Sequence, residues 1–368
     1  MPPRRLASRG LLLAGLPLVL AGLLGVAGPV APCDPSTGDF CDMPRAEDIV
    51  QVPGTHWLAV SSDTHDAPLQ FIDARSRRRV PLALPFTVAP DARAGATDCP
   101  GPPTRWRAGG NDLKRVAGGL RLAVLNRAPP GAPVRDGDER VELFDLRGGR
   151  DGPEARWAGC VPIPARWALN DIALAPDGAL YGSHQFDRPR SPEEAAATRQ
   201  KWLEGVPTGL AVEWRRDKGW RPVAGTEVSF TNGIAVSRDG RTLAVAGTYS
   251  SALLLVDRGR GSVRRVPLPH TPDNVTALDG GRFLSAGHTG VPVTGVDPCR
   301  DPKAVPCGFP FAIAEIGRDA RAHVVFEHDG SRIPGASVAV PLDGRLYLGS
   351  FFGDRVTVVD LPRGKPLH

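Results

Sequence analysis

Oxygen-bearing side chains stand at the beginning of six short apolar segments that are spread along the chain. They are Glu47, Asp48, Asn111, Asp112, Asn170, Asp171, Asn232, Asp273, Asn274 and Ser337. Crowded carboxylate and amide oxygens repel one another unless a hard cation neutralises them, and calcium accepts roughly six to eight such oxygens in flexible geometry. The set contains no cysteine or histidine, which disfavours zinc and copper. These residue types therefore predict a calcium site, provided that the fold brings them together.

A structural interpretation of the same residues competes with the metal. Asp and Asn are common at strand starts, where their side chains accept hydrogen bonds from nearby backbone N–H groups. For a single Asn–Asp pair this capping role is the more common one. Here an acid or amide recurs at the start of nearly every segment, and the recurrence favours the metal.

The elements that must position these residues are repeats of one pattern, in which a polar start and an alternating apolar run lead through a Gly-containing turn to a second apolar run. The repeats are EDIVQVPGTHWLAVSS, NDLKRVAGGLRLAVLNR, NDIALAPDGALYGSH, TNGIAVSRDGRTLAVAGT, PDNVTALDGGRFLSAGH and ASVAVPLDGRLYLGSF. An Asp-Gly or Gly-Gly turn between two such runs is a strong hairpin signal. The spacing of about 40 to 65 residues suits four-stranded propeller blades. The sequence thus predicts an all-β fold, a six-bladed β-propeller over residues 33–368.

This fold would place the polar starts around one rim of the central channel, because the first strand of each propeller blade lines that channel. The second strands return to the same rim, so their last residues would surround the cation. These residues are Ser61, Asn126, Arg127, His184, Thr248, Tyr249, His288, Phe351 and Phe352. Two histidines, an arginine and aromatic rings around an ion predict a wall for a small-molecule ligand.

One insertion into the strand pattern has helical signals. Ser191 is a capping residue, Pro192 and two glutamates follow it, and Gly205 ends the segment. We therefore expect one short helix within the propeller. The net charge of +5 is scattered, without a basic helix, and does not predict nucleic-acid binding.

The N-terminus has the order of an export signal. Arg4, Arg5 and Arg9 precede an apolar stretch from residue 11 to about residue 30 that is interrupted by glycines. Residues 1–32 are therefore predicted to be a signal peptide or, since the stretch is nearly long enough to span a bilayer, a membrane anchor. Either way the propeller would be secreted, periplasmic or held at the outer face of the membrane.

Six cysteines follow the signal, and an even number in an oxidising compartment indicates disulfides. None forms a Cys-x-x-Cys pair. Cys299 and Cys307 flank a short Pro-rich loop and are predicted to bond to each other. Cys33–Cys41 and Cys99–Cys160 follow by elimination.

At these residues the chain resembles the paraoxonase/arylesterase branch of the SMP-30/gluconolactonase/strictosidine-synthase-like superfamily of calcium-dependent propellers. The resemblance runs from about Cys41 to Leu361 and is strongest from Asn170 onward. It rests on five motifs in order, which are AEDI, LNDIALAPDGALYGSH, FTNGIAVSRDG, PDNVTALDGGRFLSAGHTG and GASVAVPLDGRLYLGSFF.

The resemblance implies roles for individual residues. The residues that would hold a catalytic calcium are Glu47, Asn170, Asn232, Asp273 and Asn274. A second, structural calcium would be held by Asp48, Asp171 and a backbone carbonyl near Leu113. Substrate-pocket positions would be His184, Phe230, His288 and Phe352.

The chain departs from the paraoxonase pattern at three places. Asn111 and Asp112 replace the His-Gly that opens the second blade, and Arg127 replaces the partner histidine. Both members of the histidine dyad implied for water activation are thus replaced. No cysteine follows Cys307, so a disulfide that ties the first strand to the last is not expected. These differences disfavour esterase activity of the paraoxonase type while leaving the fold and the metal.

The leading functional prediction is a calcium-dependent hydrolase of lactones or carboxylic esters, with Asp273 as general base or nucleophile. Because an arginine grips carboxylates or phosphates through two hydrogen bonds, Arg127 predicts an anionic substrate. The alternative for Arg127 is an ion pair with Asp112 and no ligand contact. The alternative for the whole chain is a non-catalytic exported propeller that binds a small molecule or a cell-envelope partner.

Overall fold

The computed structural model describes residues 28–62, 69–91, 93–129, 132–289, 307–361 and 367. Six sheets of mainly antiparallel strands follow one another along the chain and are named blades 1 to 6. The first strand of each blade contacts the first strand of the next, and that of blade 6 returns to blade 1. The sheets therefore close into a ring around a channel, and the predicted six-bladed β-propeller is confirmed.

The first three blades hold most of the longer strands. Blade 1 consists of Ala46–Gln51, Trp57–Ser62, Leu69–Asp73 and Arg79–Leu82. Blade 2 consists of Ala108–Val116, Gly119–Asn126, Arg140–Gly149 and Gly152–Pro162, with Thr87–Val88 added in parallel at its outer edge. Blade 3 consists of Trp167–Leu174, Leu180–Asp187, Leu210–Arg215 and Gly219–Pro222.

The last three blades complete the ring. Blade 4 consists of Thr231–Val236, Thr242–Gly247, Ala252–Asp257 and Val263–Pro267. Blade 5 consists of Thr271–Ala277, Phe283–His288, Phe311–Ile316 and Ala322–His328. Blade 6 consists of Val338–Leu342, Arg345–Gly349 and Thr357–Asp360. Outside the blades lie the short strand pair Gly28–Pro29 and Cys307–Gly308 and the 3-10 turn Pro35–Thr37, whereas the 3-10 turn Asp279–Gly281 joins the first two strands of blade 5.

The core lies between neighbouring blades. Phe71 of blade 1 belongs to one buried cluster with Leu122 and Phe144 of blade 2, and similar clusters fill the other interfaces. The tight turns of the inner hairpins depend on glycine, as at Gly178 and Gly240 with φ of 84° and 73°. The apolar strands joined by these turns thus form sheets that pack face to face with the neighbouring blades.

The expected helix spans Pro192–Leu203 and is inserted between the second and third strands of blade 3. Ser191 caps it, with its Oγ accepting from the backbone N–H of Glu194 at 3.2 Å. It is the one α-helix among the described residues. No helix in the described ranges is long and apolar enough to cross a membrane. The predicted signal or anchor falls almost wholly on residues 1–27, outside these ranges.

The ring is closed by the residues that precede blade 1. Phe40 forms an antiparallel bridge with Val356 at the outer edge of blade 6. Next to it, the Asp39 carboxylate accepts from the backbone N–H of Val358 at 2.9 Å. The guanidinium of Arg77 lies over the Phe40 ring, 3.7 Å from its centroid. Residues from the two ends of the chain therefore share one blade.

Two of the three predicted disulfides are present. Cys33–Cys41 closes a short loop beside the ring closure, and Cys99–Cys160 ties the segment before blade 2 to its fourth strand. The third predicted pair involves Cys299, which lies outside the described residues.

Candidate functional site

The polar starts of the inner strands are linked to one another across the channel. Asn274 Nδ2 and Ser337 Oγ both donate to the backbone carbonyl of Glu47, at 3.1 and 2.7 Å. Asn111 donates to Asp48 through both its backbone N–H and its Nδ2, at 2.7 and 3.1 Å. These bonds join blades 1, 2, 5 and 6, so the structure brings the predicted residues together.

A break in strand pairing accompanies the polar start in blades 1 to 5. The register shifts between Ala46 and Asp48, Ala108 and Asn111, Leu169 and Ile172, Thr231 and Ile234, and Pro272 and Val275. The first two strands of blade 6, which contributes only Ser337, pair without a shift. Bulges re-aim side chains and are frequent beside functional sites. They also allow a close approach, because a Cβ at Gly110 would lie 2.5 Å from Asp171 Oδ1.

Several buried amide oxygens at this rim have no hydrogen-bond donor among the described residues. They are the Oδ1 atoms of Asn111, Asn170, Asn232 and Asn274. Their Nδ2 groups are engaged in three cases, as when Asn232 donates to Thr248 Oγ1 at 3.1 Å. An unsatisfied buried acceptor costs about 1–3 kcal/mol. Oxygens held in place and left without donors are the expected arrangement for cation ligands.

Two carboxylates complete the set. Asp273 is 7% exposed and Glu47 is 6% exposed. Burial, with the nearby negative charge of Glu47, raises the pKa of Asp273 well above its usual range, while Asn232 and Arg127 act in the opposite direction. A cation would relieve this repulsion. The oxygen donors of amides and carboxylates suit calcium better than a transition metal. In the described ranges no group of three or more His, Cys, Asp or Glu side chains is placed to hold a metal ion, so the amides would have to supply part of the ligand set.

The acids predicted for the second calcium have a clear structural role. Asp48 accepts from the backbone N–H of Ile49 and Asn111, and Asp171 from those of Ile172 and Ile234. Every carboxylate oxygen of the pair therefore already accepts a backbone N–H, and the Oδ2 atom of each acid joins its blade to the next. Burial and Glu47 raise the pKa of Asp48 to about 8, and burial and Asp48 raise that of Asp171 well above its usual range. The negative charge of Asp48 and Asp171 would suit a second cation, but neither carboxylate has an oxygen that lacks a hydrogen-bond donor.

Asp112 joins blades 2 and 3 in the same way. Its Oδ1 accepts from the N–H of Leu113 at 2.8 Å, and its Oδ2 from that of Leu174 at 2.7 Å. A cavity of about 450 Å³ is lined by Asp48, Asp112, Asp171 and Leu113 and also by Asn111, whereas the residues that the resemblance implied for the catalytic calcium do not line it. The two predicted ion sites therefore face different parts of the channel.

Arg127 lies beside the predicted catalytic ligands. Its Nη2 donates to the backbone carbonyl of Asn170 at 2.7 Å, and its charge partly opposes the rise that burial causes in the pKa of Asp273. Gly109 makes room for it, because a Cβ there would lie 2.5 Å from Arg127 Nε. The arginine thus brings a fixed positive charge to the rim where the resemblance implied a histidine.

One wall of the rim, on blades 3 and 4, carries His184 and Phe230. His184 Nε2 lies 3.3 Å from Asp187 Oδ1, and burial lowers its pKa. Phe230 has a positive φ of 58°, which is rare for a side chain with a Cβ and marks a constrained position.

The opposite wall, on blades 5 and 6, carries His288 and Phe352. The His288 ring lies 5.7, 5.8 and 6.0 Å from the rings of Phe309, Phe351 and Phe352. The four predicted pocket positions are thus divided between two aromatic walls.

The sequence placed Asn111 among the polar starts, but the resemblance gave it no ligand role, and two other residues of this region were not predicted. His270 stands just before a polar start, is 3% exposed and lies 3.0 Å from Ser285 Oγ. Trp202 belongs to the inserted helix and packs against Phe230 at 4.8 Å. No sequence pattern pointed to either of these two.

Comparison with known proteins places the fold. A solved structure assigned as a gluconolactonase matches with a TM-score of 0.50 and 14% identity, covering 92% of this chain and 94% of that chain. The luciferin-regenerating enzyme matches with a TM-score of 0.51 and 13% identity, covering 92% and 96%. A gluconolactonase from Xanthomonas campestris gives 0.49 and 17%, covering 92% and 98%.

No protein-family model and no curated protein sequence matches the chain. At the identities of the structural matches the likeness concerns architecture. The chain shares the fold of the structure assigned as a gluconolactonase and of the luciferin-regenerating enzyme, and the resemblance inferred from the sequence is confirmed for the fold.

Proposed function

We propose that this protein is a calcium-dependent hydrolase of lactones or carboxylic esters. The observation that carries the proposal is the group of buried amide oxygens without donors, at Asn111, Asn170, Asn232 and Asn274, beside the buried carboxylates of Glu47 and Asp273. These residues would hold the ion. Calcium would supply Lewis-acid polarisation of the substrate carbonyl and a countercharge for the oxyanion.

The chain's own groups would do the remaining work. Asp273 would remove a proton from water or attack the carbonyl directly. Arg127 would bind an anionic group of the substrate, since a guanidinium is always protonated and pairs with a carboxylate through two hydrogen bonds. The walls that carry Phe230 and His288 would hold the apolar part of the substrate and keep water from it.

The first experiment measures turnover by the purified chain. A panel of lactones and aryl esters, with and without a carboxylate, is assayed in calcium and in excess chelator. We expect carboxylated lactones to be hydrolysed in calcium and to be spared in chelator, with phenyl acetate turned over poorly. The gluconolactonase fold neighbour suggests lactones as the first substrates to test. Turnover that is indifferent to chelator would contradict the role of calcium.

Two variants separate chemistry from binding. Asp273→Ala should abolish turnover. Arg127→Ala should raise KM for a carboxylated lactone by about 10- to 100-fold with little change in kcat, because a uniform charged contact is lost. Neutral lactones should show no such change. Wild-type activity in Asp273→Ala would defeat the mechanism, whereas an unchanged KM in Arg127→Ala would leave Arg127 as a structural partner of Asn170.

We also propose that the propeller is exported. The disulfides Cys33–Cys41 and Cys99–Cys160 are compatible with an oxidising compartment. N-terminal sequencing of protein recovered from cell fractions tests this, and intact full-length protein in the reducing cytoplasm would contradict it. A stably exported propeller that binds the same lactones without turnover would instead support the non-catalytic function.

A further inference from the structure

The inserted helix contributes nothing to the propeller core. None of the residues in Pro192–Leu203 is buried. Its last turn is attached to the propeller, where Ser229 Oγ donates to the backbone carbonyl of Trp202 at 3.2 Å. Because the helix adds nothing to the core and its last turn is bound at the rim of the channel, we expect its role to lie at that rim.

Trp202 completes a cluster of four aromatic rings, which we call the aromatic box. Its ring centroid lies 5.0 Å from that of Phe186 and 4.8 Å from that of Phe230. The Tyr249 ring is nearly parallel to it, at 6.2 Å and 6°. The box therefore combines one ring from the helix with rings from blades 3 and 4.

The aromatic box adjoins the predicted calcium ligands. Phe230 precedes Asn232 by two residues, and Tyr249 follows Thr248, whose Oγ1 accepts from Asn232 Nδ2. A group bound to the box would therefore lie next to a group bound at the ion. Nothing inferred from the sequence had placed Trp202 in the site.

The indole Nε1–H of Trp202 is buried and has no acceptor among the described residues. Phe230, whose ring stands at 81° to the indole, offers at most a weak N–H···π contact. Three other indole donors have oxygen acceptors, those of Trp106, Trp157 and Trp220, and Trp220 Nε1 donates to the carbonyl of Pro162 at 2.9 Å. A buried donor left without an acceptor calls for a functional explanation.

We propose that Trp202 is a specificity-determining residue that contacts the substrate, an inference that rests on the proposed hydrolase function. Its ring and those of the aromatic box hold a flat, apolar part of the substrate, and its Nε1–H donates to an acceptor oxygen carried by that part. The preferred substrates are therefore lactones or esters in which an oxygenated aromatic or unsaturated ring lies beside the reacting carbonyl. Small aliphatic lactones would leave the box and its donor unused.

The test uses two carboxylated lactones and two matched variants. The lactones are a 3,4-dihydrocoumarin that bears a carboxylate and, on its aromatic ring, a methoxy group whose oxygen is the acceptor, and 5-oxotetrahydrofuran-2-carboxylate, which lacks the aromatic ring and that oxygen. Trp202→Phe keeps an aromatic ring and removes the N–H. Trp220→Phe makes the same change where the donor is already satisfied by the backbone.

The kinetics of turnover should change only in Trp202→Phe, and only for the dihydrocoumarin. Trp202→Phe should raise KM for the dihydrocoumarin about three- to tenfold, the usual effect of losing one neutral hydrogen bond, with kcat nearly unchanged. The aliphatic lactone should be unaffected. Trp220→Phe should change neither. An equal loss on both lactones, or an equal loss in both variants, would overturn the proposal.

A binding measurement separates this inference from the hydrolase proposal. The lactam analogue of the dihydrocoumarin cannot be hydrolysed in the assay, and its affinity is measured by titration calorimetry. Trp202→Phe should weaken the lactam about three- to tenfold and Trp220→Phe should not. Trp202-dependent binding without any turnover would refute the hydrolase and leave the inference standing. Turnover by the wild type with lactam affinity unchanged in Trp202→Phe would refute the inference alone, and neither binding nor turnover would refute both.

Discussion

At the scale of single residues, cation binding and the capping of backbone N–H groups, which the sequence presented as alternatives, are assigned to neighbouring side chains. In the pairs that open blades 2 and 3, Asn111 and Asn170 present an amide oxygen without a donor, while Asp112 and Asp171 accept backbone N–H groups of the next blade. Cation binding and backbone capping are therefore both present, one residue apart. The oxygens of the acids are already used by backbone N–H groups, so the ligand oxygen comes from the residue before each acid. An amide suits that position because it costs less free energy to bury than a second charge.

Removing one amide oxygen should weaken calcium binding directly. Asn232→Leu is expected to lower calcium affinity at least about tenfold and to reduce the rise in Tm on adding calcium, because ligand binding to the native state is what raises Tm. Calorimetric titration and thermal melts in chelator and in calcium measure both effects. As a control, Asn126→Leu alters an amide whose oxygen already accepts from the N–H of Arg107. Calcium affinity that survives in Asn232→Leu would contradict the assigned site.

His270 should make stability depend on pH. Burial lowers the pKa of His270 to about 4, from the value of about 6.5 that is usual for a histidine. Its contribution is therefore fully present above pH 6.5 and is lost as the pH falls toward 4, by on the order of 3 kcal/mol over the whole range. Between these limits urea midpoints should fall less steeply in His270→Gln than in the wild type. His323→Gln, at an exposed position, should keep the wild-type slope, and equal slopes in all three proteins would contradict the assignment.

At the scale of elements, the bulges at the start of the inner strands separate the site from the scaffold. They occur in blades 1 to 5, which supply the acids and amides, and are absent where blade 6 supplies Ser337. In a regular strand, adjacent side chains point to opposite faces of the sheet, and both faces of a blade pack against neighbouring blades. At a bulge, one side chain can turn toward the channel while its neighbour still reaches the next blade.

The carboxylate that joins two blades should be important for stability. Asp112→Ala removes the acceptor of two buried N–H groups, those of Leu113 and Leu174, and should lower the free energy of unfolding by about 3 kcal/mol. Chemical denaturation measures the change. Asp151→Ala removes an exposed carboxylate paired with Arg78 and should cost less than about 1 kcal/mol. Similar losses of stability in the two variants would show that the hydrogen bonds between blades do not account for the effect of Asp112→Ala.

At the scale of the whole molecule, the ring is closed without a disulfide between its ends. Phe40 supplies the bridge to blade 6, Arg77 covers its ring, and the Cys33–Cys41 loop stiffens the segment before it. Closing so short a loop stabilises a fold by roughly 2–3 kcal/mol on the chain-entropy model. Packing and a local cross-link thus stand in place of the end-to-end disulfide of the paraoxonase pattern, which the sequence did not lead us to expect here.

Weakening this closure should loosen blade 6 before the rest of the ring. Phe40→Ala should cost about 3–5 kcal/mol, because its side chain is 1% exposed and packed. Hydrogen exchange should accelerate first in the strand Thr357–Asp360. Phe71→Ala, equally buried in blade 1, should lower stability without that preference. Uniform acceleration in both variants would argue against a separate closure.

The sequence by itself determined the architecture, because its signals are local. Alternating apolar runs and glycine turns specify hairpins, their repetition specifies six blades, and Ser191 with Pro192 specifies the start of the helix. The candidate ligands were found for the same reason, since a first strand in a propeller must line the channel. Two disulfides were also correct.

Only the tertiary structure decided which atoms meet. The partners of Glu47 and Asp39 at Ser337 and Val358 are 290 and 319 residues away, and no local pattern encodes such pairs. The contact of Arg127 with Asn170, the burial of His270 and the aromatic box around Trp202 likewise depend on how separate blades and an inserted helix pack. A residue's type sets what chemistry it can do, but burial and the groups facing it set whether that chemistry is available, and both arise only when the ring closes.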